Sequence, residues 1–221
     1  MFKPLVALCC LLGCWLAITA PAPAFCAPID DAAHEALVKQ EAEVDALIEE
    51  AQALVIDGKL EAARAVYRQI FPIAGDNLRY YHEAVISIAA TYLQEQNYEA
   101  ALAEYQGFAK RKTLDLEHVS LIEGHIGSVY MNMGKYAMAR PHFLNVLTIA
   151  EEQVPLNPAI IVDNREEATM QMANCFFEEK EYVMAQEWYQ RVLKTKGLTT
   201  SHKAEAERQL GVIAGLLAKG K

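Results

Sequence analysis

Apolar and small residues recur along this chain with the period of a helix, and again with a much longer period. Val85, Ile88, Ala89 and Tyr92 fall at i, i+3, i+4 and i+7, one face of an amphipathic helix. Ala101, Tyr105 and Phe108 begin a second such face, and the polar break Gln96-Asn97-Tyr98 separates the two. The pair predicts a helix hairpin. The second-helix set returns as Ala63/Tyr67/Ile70, Ala101/Tyr105/Phe108, Ala139/Phe143/Val146 and Ala185/Tyr189/Val192, spaced 38, 38 and 46 residues. Upstream of each, Ala51/Leu54, Ala89/Tyr92, Gly127/Tyr130 and Ala173/Phe176 keep those intervals, and Gly211/Ala214 follows 38 residues after the last. A fixed period of this size means stacked copies of one supersecondary unit. Asp57-Gly58-Lys59, Met133-Gly134-Lys135 and Lys180-Glu181-Tyr182 mark the other turns, two of them with the glycine that suits a helix C-terminus. The small residues are expected to let two backbones approach, with the aromatic filling the gap left on the neighbour.

The stretch from Ile126 to Ala139, with Gly127, Tyr130, Gly134 and Tyr136, resembles the tetratricopeptide repeat family, and so does Ala89 to Ala101. The resemblance implies an all-α fold, a right-handed superhelical solenoid of helix hairpins with a C-terminal closing helix. It divides residues 44–198 into repeats of about 44–77, 82–112, 120–152 and 166–197, followed by a capping helix in 199–221. Three features depart from the family. Leu47, Val85, Glu123 and Thr169 replace its early tryptophan, and Gly75, Thr113, Glu151 and Gly197 stand where it has proline. The period is 38 against a usual ~34, as if one helical turn had been added. The surplus of the 46-residue interval falls around Glu151 to Asn164, where Val154-Pro155-Leu156-Asn157-Pro158 predicts an interruption with Asn157 as N-cap and Pro158 as first helical residue. Such a longer connection is similar to the kinesin light-chain variety of the repeat.

Residues 1–24 read as a secretory signal peptide: a short basic start at Lys3, an apolar run from Pro4 to Ala20, and small residues Ala22-Pro23-Ala24 before Phe25. The run is short for a membrane span of ~20 residues. Leu11-Leu12-Gly13-Cys14 also resembles a lipobox, which would make Cys14 a lipidated residue and put the protein on a membrane. Both readings export the chain, to the periplasm or beyond. Residues 25–43 then form an acidic helical lead-in. Three of the five cysteines lie in the leader, and Cys175, beside Ala173 and Phe176, reads as a small buried apolar residue.

The formal net charge of −9 argues against nucleic acid and anionic membrane surfaces as partners. Residues 30–61 are acidic and 191–221 basic, and Leu37, Val44, Ile48, Ala51 and Val55 approach heptad spacing, so self-association is open. No catalytic constellation stands out. The six histidines include no pair at the i, i+4 spacing of a helical metal site, and His118 and His125 are about two turns apart. No enzyme activity, cofactor or metal is expected, although an enzyme accessory subunit remains an alternative. In the family, the first helix of each hairpin lines a groove that takes a peptide or partner helix. The resemblance carries that role to Ile86, Leu93, His125, Met131, Asn132, Met170, Asn174 and Phe177, and makes the second-helix residue Glu104 an inert convex position. Family members that grip an acidic C-terminus place Lys and Arg on this face. Here Asp45, Glu49, Glu83, Ser87, Gly124 and Glu167 stand in the equivalent neighbourhoods, so that partner type is set aside. The expected role is a non-enzymatic, extracytoplasmic scaffold for a protein or peptide.

Overall fold

The computed structural model describes residues 31–153, 158–195 and 199–219, without the side chains of 31, 33, 152, 153 and 158–163. The leader with Cys14, the lead-in before residue 31 and the Asn157 cap lie outside these residues. Among the described residues there are ten α-helices: α1 (Asp31–Ile56), α2 (Leu60–Arg68), α3 (Ile70–Ala74), α4 (Leu78–Gln94), α5 (Tyr98–Ala109), α6 (Leu116–Asn132), α7 (Tyr136–Gln153), α8 (Pro158–Glu178), α9 (Tyr182–Lys194) and α10 (Thr200–Lys219). Residues 40–221 form one compact unit; residues 31–39, which belong to the other, carry the first turns of α1.

Every hairpin turn uses the same backbone solution. The second residue past the end of the first helix takes a positive φ at Gly58 (74°), Gln96 (57°), Gly134 (70°) and Lys180 (64°). At each, two hydrogen bonds close the helix end: Gly58 N–H to Val55 O and Lys59 N–H to Leu54 O, and likewise at Gln96/Asn97, Gly134/Lys135 and Lys180/Glu181. This pair of bonds is the Schellman arrangement, which satisfies carbonyls that the helix leaves orphaned. The glycines at two turns therefore mark a geometry that Gln96 and Lys180 adopt at a steric cost.

Packing follows the repeated set. Ala51, Ala63, Ala89, Ala101, Ala139, Ala173 and Ala185 are all fully buried, and Tyr67, Tyr105, Phe143 and Tyr189 are buried with them. At Gly127 an added Cβ would lie 2.8 Å from the Phe143 ring, so here the small residue makes room for the aromatic in the literal sense. The core is built in three successive clusters. One joins α1 to α2, α3 and α4, the next α4, α5 and α6, and the last α7, α8, α9 and α10. This is the nearest-neighbour construction of a solenoid.

An arginine following the repeated alanine clamps two of the junctions. The Arg64 guanidinium lies 4.3 Å from the Tyr92 ring centre and donates to Glu95 at 2.9 Å and to the Thr91 hydroxyl at 3.1 Å. Two repeats later Arg140 lies 4.6 Å from the Phe176 ring and pairs with Glu179. Leu102 takes the corresponding place in the second hairpin and is buried.

Two local expectations change. The second helix of the first repeat breaks at Gln69 and restarts as α3, because Pro72 lacks an N–H and its ring crowds the carbonyl of Arg68. The 46-residue interval does not produce a longer connection. α7 reaches Gln153, α8 begins at Pro158, and only 154–157 separate them, against 110–115 between α5 and α6. The surplus is helix on both sides.

Candidate functional site

The first helices α4 and α6 lie side by side and line an open recess between them. Asn77 caps α4, its side chain accepting from Arg79 N–H at 3.2 Å, and Asp115 caps α6, accepting from His118 N–H at 2.8 Å. From that start Arg79, His82, Glu83, Ile86 and Ser87 share one face of α4 at helical spacing, and Glu117, His118 and Leu121 face them from α6. Together they line a cavity of about 420 Å³.

His82 is the pivot. It is only 9% exposed, stacks on Phe108 at 5.5 Å between ring centres, meets His118 edge-on at 5.5 Å and lies 5.8 Å from His125. Its Nε2 has no hydrogen-bond partner. Burial, reinforced by the two neighbouring histidines, pushes the His82 pKa down to about 4. Burial also lowers that of His125, which stacks on Tyr105 at 5.1 Å, and pushes the Tyr105 phenol up to about 12. His118 is held by Asp115, 2.7 Å from its Nδ1. The imidazoles pack ring against ring, and among the described residues no group of three or more His, Cys, Asp or Glu side chains is placed to hold a metal ion. One buried nitrogen in this packed cluster, His82 Nε2, is left unsatisfied.

The expected groove residues divide. Ile86 lines the cavity and His125 borders its inner wall. Leu93 and Met131 are half-buried farther along α4 and α6, and Asn132 is exposed at the end of α6. In α8, Phe177 is half-buried edge-on to Tyr182, and Asn174 is committed internally, accepting from the Tyr189 hydroxyl at 2.6 Å and donating to Gln171 at 3.1 Å. Met170 needs correcting. It is 3% exposed within the third core cluster, because it falls on the face of α8 that packs inward, and so it is closed to a partner. Glu104 is not inert either: it accepts from Arg68 at 2.6 Å and joins the first hairpin to the second. The sequence reading missed His82. Its signal was the stripe Arg79, His82, Glu83, Ile86, Ser87 beside the apolar stripe of the same helix.

Cys175 is fully buried, and burial pushes its thiol up to about 11. A second joint lies at the closing helix. Glu166, 2% exposed, accepts from the Thr199 N–H at 3.1 Å and hydroxyl at 2.9 Å and pairs with His202. Burial alone would raise its pKa, but the hydrogen bonds from His202 and Thr199 outweigh that and hold it below the usual range. No described helix is long and apolar enough to cross a membrane.

Residues 124–153, which are the end of α6 and all of α7, match the tetratricopeptide repeat family model. No curated protein matches the chain significantly by sequence. Among solved structures, BtubC (BKLC) from P. vanneervenii superimposes with a TM-score of 0.66 at 14% identity, over 85% of this chain and 78% of that one. Repeats of a putative kinesin light chain from Podosopora anserina give 0.57 at 17% identity, over 80% and 87%. MamA from Desulfovibrio magneticus RS-1 gives 0.51 at 11% identity, over 80% and 92%. At these identities the likeness is one of fold. Residues 124–153 thus match the repeat's family model, and the described helices share the fold of tetratricopeptide-repeat solenoids.

Proposed function

We propose that this protein is a non-enzymatic, extracytoplasmic adaptor that holds an extended peptide segment or a partner subunit against the first helices of its hairpins. The fold is one used for protein–protein interaction, and the α4–α6 recess is the observation that supports this use of it here. A cavity of this size, mostly apolar and walled by two rigid helices, suits a side chain of a bound segment. Ile86, Leu93, His125, Met131, Asn132 and Phe177 are the proposed contact residues, the apolar ones giving burial and Asn132 a free amide for a peptide backbone.

The full-length protein carrying a photo-crosslinking amino acid at Ala90, exposed and one turn beyond Ile86 on α4, is expected to capture its partner in cells. The same group at Gln106, exposed on α5, is expected to capture far less. Capture from Gln106 alone would place recognition on the second helices and overturn the groove. Intact-mass measurement on the recovered protein tests export in the same experiment. A chain beginning at Phe25 supports a soluble exported adaptor, a diacyl or triacyl mass on Cys14 makes it a lipid-anchored one, and an intact leader removes the extracytoplasmic assignment.

A further inference from the structure

We propose that a second cavity, separate from the α4–α6 recess and independent of the groove reading, binds a doubly charged oxyanion, a phosphate monoester foremost. It measures about 290 Å³ and is walled by α7, α8 and α9, near the small end of ligand sites at about 300–1,000 Å³. Three cations converge on it, the half-buried Arg165 from α8 and Arg191 and Lys194 from the last turn of α9. Glu151 of α7 is the one acid in the lining. Three cations against one acid leave this recess two positive charges in excess, in a chain whose formal net charge is −9.

These cations have no other employment among the described residues. None of the three, Glu151 included, has an ion-pair partner within reach. Capping the end of α9 falls to Thr195 instead, whose hydroxyl donates to Arg191 O at 3.3 Å and whose N–H donates to Val192 O at 2.9 Å. The Arg191 guanidinium lies flat space away from that end, 4.3 Å from the Trp188 ring centre, which fixes its position in the wall. Trp188 supplies a further donor. It is 9% exposed and lines the cavity, and its indole N–H has no hydrogen-bond partner among the described residues. Unlike His82 Nε2, that N–H is not sealed from solvent. The buried Thr169 hydroxyl is already spent on Arg165 O at 2.6 Å, so the donors left for a ligand are the two guanidiniums, the ammonium and the indole. A phosphate monoester carries close to two negative charges at neutral pH and three acceptor oxygens, which matches both the excess charge and the donor set. A single carboxylate would leave one positive charge unanswered.

The test titrates the isotope-labelled full chain with glycerol phosphate, sulfate and acetate at constant chloride, reading the Trp188 indole N–H and the side-chain N–H groups of Arg165 and Arg191. Saturable shifts are expected with the phosphate ester and with sulfate, and binding about tenfold weaker with acetate. The second pKa of a phosphate ester is about 6, so its affinity should fall between pH 7 and pH 5 while that of sulfate, doubly charged throughout, holds. Arg165→Gln should cost about tenfold in affinity, and the exposed Lys194→Gln about threefold with an unchanged melting curve. Lys110→Gln, exposed at the end of α5, should change nothing. A capped phosphoserine peptide separates the sources: binding no tighter than glycerol phosphate supports a free ester, and tighter binding supports a phosphorylated side chain on a partner. Acetate binding as tightly as the ester would overturn the proposal. So would shifts that survive both Arg165→Gln and Lys194→Gln, or no shift at Trp188 up to millimolar ligand.

Discussion

At the scale of single residues, His82 concentrates most of what is unusual in this protein. A histidine on the inner side of a helix is ordinarily satisfied by a partner, yet here its Nε2 is left bare among Phe108, His118 and His125, with Arg79, Glu83 and Glu117 as the charged groups around the same recess. The folded-state pKa of about 4 lies below the ordinary 6.5, so the unfolded chain binds the proton first as pH falls. The stability this group contributes is therefore complete above about pH 6.5, declines as pH drops, and is gone below about pH 4. His125 is displaced in the same direction and adds to the trend. Glu166 and Asp115, held below the usual carboxylate range, lose their contributions only at lower pH, so the interval from pH 7 to 5 isolates the histidines. Chemical denaturation of the parent is expected to show a loss of about 2 kcal/mol across that interval, and His82→Leu should remove most of it. An identical pH profile in the variant would mean that His82 is solvated as an ordinary surface histidine is.

Elements in this chain are defined by their ends as much as by their faces. Four turns share one positive-φ residue and one pair of closing hydrogen bonds, but only two of them have glycine there. Lys180→Gly keeps the backbone and removes the Cβ from a left-handed conformation. It is expected to stabilise the α8–α9 hairpin by about 0.5–1 kcal/mol after glycine's own entropic cost. Gly134→Ala should destabilise the α6–α7 hairpin by a similar amount, and paired urea melts read both. A destabilised Lys180→Gly would show that the lysine side chain makes a contact worth more than the strain. The arginine clamps at Arg64 and Arg140 are also element-level devices. They lie one residue beyond the repeated alanine, on the aromatic and the glutamate of the next first helix, and so fasten hairpin to hairpin where Leu102 does the same by burial.

At the scale of the whole molecule, stability is a sum over neighbours, because each core cluster is shared only by adjacent helices. α10 closes the last one: Ala206 and Ile213 are fully buried, and Glu166 reaches across to the Thr199 N–H at its start. Ending the chain at Thr195 would expose that cluster and leave Glu166 buried without His202. Amide hydrogen exchange on the truncated protein should then show lost protection in α8 and α9 with α4 and α5 unchanged. Loss spread evenly over all hairpins would mean that the array unfolds as a single unit.

The sequence by itself determined the hairpins. The alternation of small and aromatic residues at a 38-residue interval reports backbone approach and gap-filling, which are local to one hairpin and repeat with it, so Ala101, Gly127 and Phe143 could be placed in the core from spacing alone. The break at Gln69 was legible too, in Pro72, though the repeat pattern overrode it. The tertiary structure decided whatever depends on meetings between hairpins. His82 and His118 are 36 residues apart and come together only because α4 and α6 lie side by side. Glu104 looked solvated until Arg68 of the previous hairpin reached it, and Met170 looked like a groove residue until the packing of α8 turned it inward. A period fixes which residues share a face. Which face then meets solvent, a neighbour or a ligand is set by the crossing of helices from different repeats, and no spacing within one repeat encodes that.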